Sequence, residues 1–153
     1  MPYEFECSEC GNPRGMYGDC PSCGSVDQPI LLSDTVVLNI KRDKPSAEEA
    51  LEHLTHALRR ASELGIKVII LIHGYGSSGA GGKIKWAVHD ALEKNLFSDR
   101  VEDYFFGEQV AYGSLSYREL LKRRPSLKAH LQHFKEGNAG MTVLLLGSPA
   151  RYA

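Results

Sequence analysis

The sequence has no long apolar run. No stretch approaches the roughly 20 apolar residues that a membrane-spanning helix requires, and the N-terminus lacks the apolar core of a secretory signal. We therefore expect a soluble, unsecreted, cytoplasmic protein with no membrane partner.

Net charge is also nearly absent. The 18 lysines and arginines are offset by 19 aspartates and glutamates, which leaves −1 at pH 7. This balance excludes a protein that binds polyanions through bulk charge, so any nucleic-acid surface must be a local patch. A length of 153 residues with 42% hydrophobic residues is enough for one packed domain and a small appendage.

Cysteine is missing after residue 23. The four cysteines form two C-x-x-C-G knuckles, Cys7 to Gly11 and Cys20 to Gly24, with nine residues between Cys10 and Cys20. Each pair can chelate from a tight turn, because the glycine lets the backbone curl under a metal ion. Four thiolates suit a closed tetrahedral zinc site of structural type.

The same four cysteines could also hold iron or form two disulfides. Iron would accept the same four-thiolate tetrahedron, and a pair of disulfides would use all four residues. Disulfides are disfavoured in a chain without a secretion signal. We predict a zinc-ribbon-like module over residues 1–30, whose folding energy comes from metal binding. Its ligands are Cys7, Cys10, Cys20 and Cys23.

The centre of the chain reads as a buried strand, a glycine-rich loop and a helix. Residues 66–72 are almost continuously apolar, as in a strand covered on both faces. His73 ends the run, and a helical period begins at Lys83. Five glycines lie between or beside them: Gly74, Gly76, Gly79, Gly81 and Gly82. Ligands bind at such strand-to-helix edges, and helix N-terminal amides favour anions, so phosphate or nucleic acid is the expected ligand.

Two well-known loop motifs do not fit this stretch. In a Walker A loop the first glycine would fall on Ser77 and the final serine or threonine on Ile84, so two fixed positions fail. An α/β-hydrolase would need a later G-x-S-x-G elbow, which the sequence does not contain.

The flanking segments complete an α/β order. Residues 35–40 read as a first strand, and Ser46 with Glu49 fits a capping box that opens a helix ending at Gly65. Residues 101–106 and 141–146 read as further strands. Strand, helix, strand and helix in succession predict an α/β fold with parallel pairing.

The segment His73-Gly74-Tyr75-Gly76, followed by glycines and a helix, resembles the H-G-x-G motif of the small MutS-related (Smr) domain. The order of elements and the turn at residues 138–140 before the last strand are also similar. The resemblance implies a two-layer α/β sandwich of about four strands and two main helices over residues 33–150. A basic helical insertion at about 107–137 exceeds the family's usual turn. Within it, residues 117–124 and 126–135 are each expected to be helical, with a break or kink at Pro125.

The resemblance also implies a function. Smr domains bind nucleic acids, and their first motif, L-D-x-H or L-D-x-R, has been tied to RNA cleavage or DNA nicking. The sandwich is similar to the C-terminal domain of a bacterial translation initiation factor, so RNA or the ribosome is a more natural partner than DNA. Here the first motif reads Leu38-Asn39-Ile40-Lys41. Asn39 cannot take a proton or bind a metal as a carboxylate does, whereas Lys41 can pair with phosphate.

Three functional hypotheses follow. The first is a nucleic-acid-binding protein, RNA-directed in preference. The second is a metal-independent endonuclease in which His73 shuttles a proton and Lys41 or Lys83 stabilises the transition state. The third is a protein-interaction module built on the ribbon and the insertion.

The candidate nucleic-acid contacts come from the loop, the following helix and the insertion. Residues 117–136 carry six cations against two anions, which fits either a phosphate-tracking patch or a solvated helix face. Trp86 is expected in the core or on covered surface, and His53, His56 and His89 are given no role. The predicted contacts are Gly74, Tyr75, Gly76, Lys83, Lys85, Arg123 and Arg124.

Overall fold

The computed structural model describes residues 5–42, 45–74, 82–135 and 138–147. The strands are β1 (Phe5–Glu6), β2 (Pro13–Arg14), β3 (Ile30–Leu31), β4 (Thr35–Asn39), β5 (Val68–Ile72), β6 (Val101–Phe106) and β7 (Met141–Leu146). The helices are α1 (Ala47–Leu64), α2 (Gly82–Glu93) and α3 (Leu115–Arg123), with 3-10 helices at Gly107–Gln109 and Pro125–His133.

The first helix forms where the capping box predicts it. The Ser46 hydroxyl accepts from the Glu49 backbone N–H at 3.1 Å, and the Glu49 carboxylate accepts from the Ser46 N–H at 2.9 Å. Gly65 ends α1 in the left-handed conformation, with φ of 83°. A residue with a side chain would be strained there, so this glycine sets the angle at which the chain enters β5.

The main sheet has the strand order β4-β5-β7-β6. The β4–β5 pair is parallel, as the strand–helix–strand order predicts, and the other two pairs are antiparallel. The α/β class and the four-stranded sheet are therefore confirmed.

Both faces of the sheet are covered. Leu54 and Leu58 of α1 and Val88 of α2 pack on one face against Ile69 and Leu71 of β5. The other face packs against α3 and the second 3-10 helix through a separate buried cluster: Tyr117, Leu120, Leu127, Phe134, Val68 and Ile70. Burial on both sides explains why β5 and β7 are almost wholly apolar. The segment predicted as an insertion thus supplies an additional layer.

The second helical stretch of that segment differs from the expected helix over residues 126–135. It is a 3-10 helix that begins at Pro125 and is kinked at His130, where φ is −115° and ψ is 26°. The break between the two helical stretches lies at the predicted proline, because Pro125 cannot continue α3.

Three chain segments meet at one edge of the sheet. Asn39, the last residue of β4, lies opposite Ile72, the last residue of β5, and Ile72 in turn lies opposite Met141. The N–H of Ile40 donates to the Ile72 carbonyl at 3.0 Å, and the N–H groups of His73 and Gly74 donate to Gly140 at 2.9 and 3.0 Å. The first motif, the H-G dipeptide and the turn before β7 are therefore neighbours.

The cysteine-rich segment forms its own small sheet, with strand order β2-β1-β3. It packs on α1: Phe5 and Met16 are buried in the same cluster as Leu54 and Leu58. Arg60 of α1 donates from Nε to the Met16 carbonyl at 3.0 Å. Among the described helices, none is long and apolar enough to cross a membrane.

Candidate functional site

The four cysteine sulfurs converge at one point. They all lie within 4.8 Å of one another, with Cys7 Sγ at 3.6 Å from Cys23 Sγ and Cys10 Sγ at 3.8 Å from Cys20 Sγ. These separations exceed the ~2.05 Å of a disulfide. They match the edge of a tetrahedron with metal–sulfur bonds of about 2.3 Å, which is about 3.8 Å. The thiols therefore fit one tetrahedral metal ion.

The two knuckles are built alike. The N–H of Gly11 donates to the Cys7 carbonyl at 3.0 Å, and the N–H of Gly24 donates to the Cys20 carbonyl at 2.8 Å. Both glycines have positive φ, 74° and 75°, so the predicted curl of the backbone is present. Hydrogen bonds from the backbone N–H groups of Cys10 and Glu9 lower the pKa of the Cys7 thiol to about 6. This favours the thiolate, which is the form that binds a metal.

A second site lies at the sheet edge where β4 and β5 end. This edge groove has a volume of about 950 Å³. Five parts of the fold form its walls: the end of β4 with the following residues, the end of β5 with Gly74, the first turns of α1, the second 3-10 helix, and the turn before β7. The groove residues used below are Asn39, Lys41, Arg42, Glu49, His53, Gly74, His130, His133 and Asn138.

Lys41 and Gly74 touch inside this groove. Gly74 has φ of 77°, and a Cβ at this position would lie 3.2 Å from Lys41 Cδ. A side chain at residue 74 would therefore be strained and would crowd the lysine stem. The Asn39 side-chain oxygen accepts from the Lys41 N–H at 3.0 Å, so this amide helps to shape the turn after β4. Lys41 and Arg42 are exposed.

His73 lies beneath the groove, fully buried. Its Nδ1 donates to the Gly74 carbonyl at 2.7 Å, because a carbonyl oxygen can only accept, and its Nε2 accepts from the Thr142 hydroxyl at 2.8 Å. Burial lowers the pKa of His73 to about 4. The ring is neutral at pH 7 and joins the turn after β5 to β7. A proton-shuttle role, which stays a prediction, would require one of these hydrogen bonds to be exchanged for one to substrate.

Three other histidines line the groove. His53 is exposed on α1, and the His130 and His133 rings lie 6.4 Å apart at 29°. Burial lowers the pKa of both His130 and His133. Sequence reasoning gave His53 no role and placed the other two only in a basic segment. No local signal joins His53 to the other two, because α1 and the second 3-10 helix meet only in the folded protein.

The predicted cations differ in their surroundings. Lys85 is buried, with 7% exposure, and its Nζ lies 3.1 Å from the Glu108 carboxylate. Arg123 pairs with Asp103 at 2.8 Å, and Arg124 is half-buried. Lys83 is exposed in the first turn of α2. Two of the predicted cations, Lys85 and Arg123, are therefore already paired with carboxylates within the protein. Tyr75 and Gly76 lie outside the described residues.

The exposure of Trp86 contradicts one expectation from the sequence. It was expected in the core or on covered surface, but it is 64% exposed. The period of α2 gives the reason: Ile84, Val88 and Leu92 fill the buried face, and Trp86 falls on the outer one.

Comparison with known proteins finds a family model that matches part of the chain. The family model of the Smr domain matches residues 44–114, which run from before α1 to the start of α3. The first motif and the last strand lie outside that match. The Smr domain of Thermus thermophilus MutS2 is similar in structure, with 23% sequence identity and a TM-score of 0.42, covering 74% of this chain and 96% of that one. No curated protein sequence matches the chain. Smr domains generally bind nucleic acids, and some are nucleases. Residues 44–114 therefore match the Smr domain, and a cluster of four cysteines precedes them in the chain.

Proposed function

We propose that the protein binds nucleic acid, RNA in preference, along the edge groove. One observation carries the proposal: Lys41 and Arg42 expose two adjacent cations in the groove, and the Lys41 stem lies against Gly74, which has no side chain to displace it. Phosphate contacts from lysine and arginine supply most of the affinity in such complexes.

The charge around the groove supports this choice. Glu49 is the carboxylate among the described groove residues, and its oxygen is engaged by the Ser46 N–H. Besides Glu49 and the cations Lys41 and Arg42, the polar lining consists of amides and imidazoles, among them Asn138, His130 and His133. Amides and imidazoles can donate to or accept from a 2′-hydroxyl and base edges, which supports RNA as the partner.

Binding is tested by fluorescence anisotropy with labelled structured RNA, single-stranded DNA and duplex DNA over a range of salt. We expect RNA to bind most tightly. The double variant Lys41→Gln/Arg42→Gln should weaken binding and reduce the slope of log affinity against log salt by about 1.4 for two lost phosphate contacts. Arg59→Gln is the matched control, because it removes an exposed cation of α1 that lines a different pocket. Equal affinities for the double variant and the parent would contradict the proposal.

Endonuclease activity is the second candidate, favoured by the three histidines that share the groove with Lys41. An unprotonated imidazole can take the proton from a 2′-hydroxyl as that oxygen attacks the adjacent phosphorus, without a catalytic metal. The same RNA would be followed on a gel. Loss of product in His130→Gln with unchanged binding would support cleavage in this groove. No product from the parent would rule out this activity on that RNA.

We further propose that the cysteine cluster holds zinc as a structural ion. The four-thiolate set leaves no position for substrate, and reduced thiols fit a reducing compartment such as the cytoplasm. A protein-interaction role for the module remains the alternative function; it would gain support if none of the three nucleic acids bound.

A further inference from the structure

Trp86 is the sole tryptophan of the chain and is presented to solvent on α2. Tryptophan is highly buried on average, so an indole ring with 64% exposure is unusual. It offers a large apolar surface that folding leaves without cover.

The Trp86 ring is held in place by contacts with neighbouring aromatic rings. The Trp86 ring meets His89 edge to face, with centroids 5.5 Å apart at 76°. His89 in turn stacks on Phe106 of β6 at 3.8 Å and 15°, and Phe106 packs against the main core. A ring held in this way loses little conformational freedom when a planar ligand stacks on it.

Charge around the ring favours a polyanion. Lys83 is exposed and lies three residues before Trp86 in α2, so both occupy the same side of the helix. The Lys85 ammonium, 5.3 Å from the Trp86 ring centroid, is paired with Glu108. Asp90 is paired with Lys94 at 3.0 Å. Among the described neighbours, Lys83 therefore supplies the unpaired charge.

The ring is also near the edge groove. His89 lies between Trp86 and His73, with ring centroids 5.8 Å apart in the His73–His89 pair. His73 precedes Gly74, which lines the groove. A nucleic-acid backbone in the groove would therefore pass within a few nucleotides of the exposed indole.

We propose that Trp86 is a stacking platform for an unpaired base of a single-stranded nucleic acid whose backbone occupies the edge groove. The proposal rests on the proposed function and adds its substrate class, namely a strand with unpaired bases. Stacking on an aromatic ring tolerates any base, because every base has a π face.

The single tryptophan makes the test direct. The parent protein is titrated with an oligouridylate of about twelve nucleotides and with an abasic oligomer of equal length, and tryptophan emission is recorded. Binding of each oligomer is measured independently by anisotropy of a terminal label. We expect saturable quenching with the oligouridylate and none with the abasic oligomer, even where the abasic oligomer binds.

Two variants and a control complete the design. Trp86→Ala should weaken oligouridylate binding about 5- to 150-fold, the range found for loss of one base stack. Trp86→Phe should recover much of that loss, because a phenyl ring can still stack. Leu115→Ala removes another exposed hydrophobic side chain, 70% exposed on α3, and should leave the affinity unchanged.

The outcomes separate this inference from the proposed function. Binding without quenching, or an equal affinity of Trp86→Ala and the parent, would overturn the platform while leaving binding in the groove intact. Absence of binding by either oligomer and by structured RNA would overturn both. A loss in Leu115→Ala equal to that in Trp86→Ala would also overturn the platform, since the effect would then not depend on the aromatic ring.

Discussion

The His73 imidazole is held neutral by its surroundings. Burial is the main cause that lowers its pKa to about 4, and the two hydrogen bonds to Gly74 and Thr142 fix its tautomer. Because the His73 ring is neutral, it carries no positive charge that could attract a phosphate group. At neutral pH its contribution is therefore to hold the turn after β5 against β7, which orients Gly74 in the edge groove.

This neutral state gives the protein an acid-sensitive stability. In the unfolded chain His73 titrates near its ordinary pKa of about 6.5, so the unfolded state binds the proton first as pH falls. The stability is present above pH 6.5 and is lost as pH falls toward 4. Between pH 7 and pH 5 we expect His73 to account for a loss of about 2 kcal/mol in the free energy of unfolding.

Urea unfolding of the parent and His73→Gln at both pH values measures this loss. The variant should be less stable at pH 7, because two buried hydrogen bonds change, but its stability should fall less on acidification. Metal release in acid is common to both proteins and cancels in the comparison. His56→Gln, at an exposed site on α1, is the control. Parallel pH dependences of parent and His73→Gln would show that His73 does not cause the loss.

At the scale of elements, α3 and the second 3-10 helix act as part of the core. Leu120, Leu127 and Phe134 are fully buried against the sheet. The hydroxyl of Ser126 donates to the Asp34 carboxylate at 2.6 Å, which ties this layer to the residue before β4. The layer also carries His130 and His133 into the edge groove, so it shapes the site as well as covering the sheet.

Truncation of one buried leucine tests that role. Leu127→Ala should lower the free energy of unfolding by about 2–5 kcal/mol, because it removes packed methyl groups and leaves a cavity. Leu115→Ala makes the same chemical change at an exposed position of α3 and should cost far less. Chemical denaturation compares the two. Equal, small effects would mean that the segment is a peripheral insertion.

At the scale of the whole molecule, the cysteine module is joined to the domain through α1. Phe5 and Met16 enter the core, and Arg60 holds the Met16 carbonyl. The module otherwise has a very small sheet of two-residue strands. Metal binding must therefore supply much of its folding energy. We propose a boundary between module and domain at about residues 30–33.

Metal removal tests this dependence. The purified protein should contain about one equivalent of zinc, and a chelator or Cys20→Ser should remove it. The module should then unfold while most of the α/β core remains, because Phe5 and Met16 are its main contribution to that core. Metal analysis and thermal unfolding are the measurements, with Ser8→Ala, a non-ligand in the first knuckle, as control. Unchanged metal content in Cys20→Ser would contradict the four-thiolate site.

Local patterns in the sequence determined much of the fold. Hydrophobic periodicity located α1, β5 and β7, and the Ser46–Glu49 box with Gly65 marked both ends of α1. The paired knuckles indicated the convergence of four cysteines, because a C-x-x-C-G turn fixes its own geometry. Each of these features depends on residues close together in the chain, so each could be predicted from the sequence without the structure.

Only the tertiary structure determines the features that depend on residues far apart in the chain, namely burial, ion pairing and the composition of the groove. It buried His73 and paired Lys85 with Glu108, because β7 and the first 3-10 helix come close only after the sheet has formed. It brought His53 of α1 into one groove with His130 and His133 of the second 3-10 helix. The burial of His73, the pairing of Lys85 and the proximity of the groove histidines therefore arise only when the helices and the sheet have packed together.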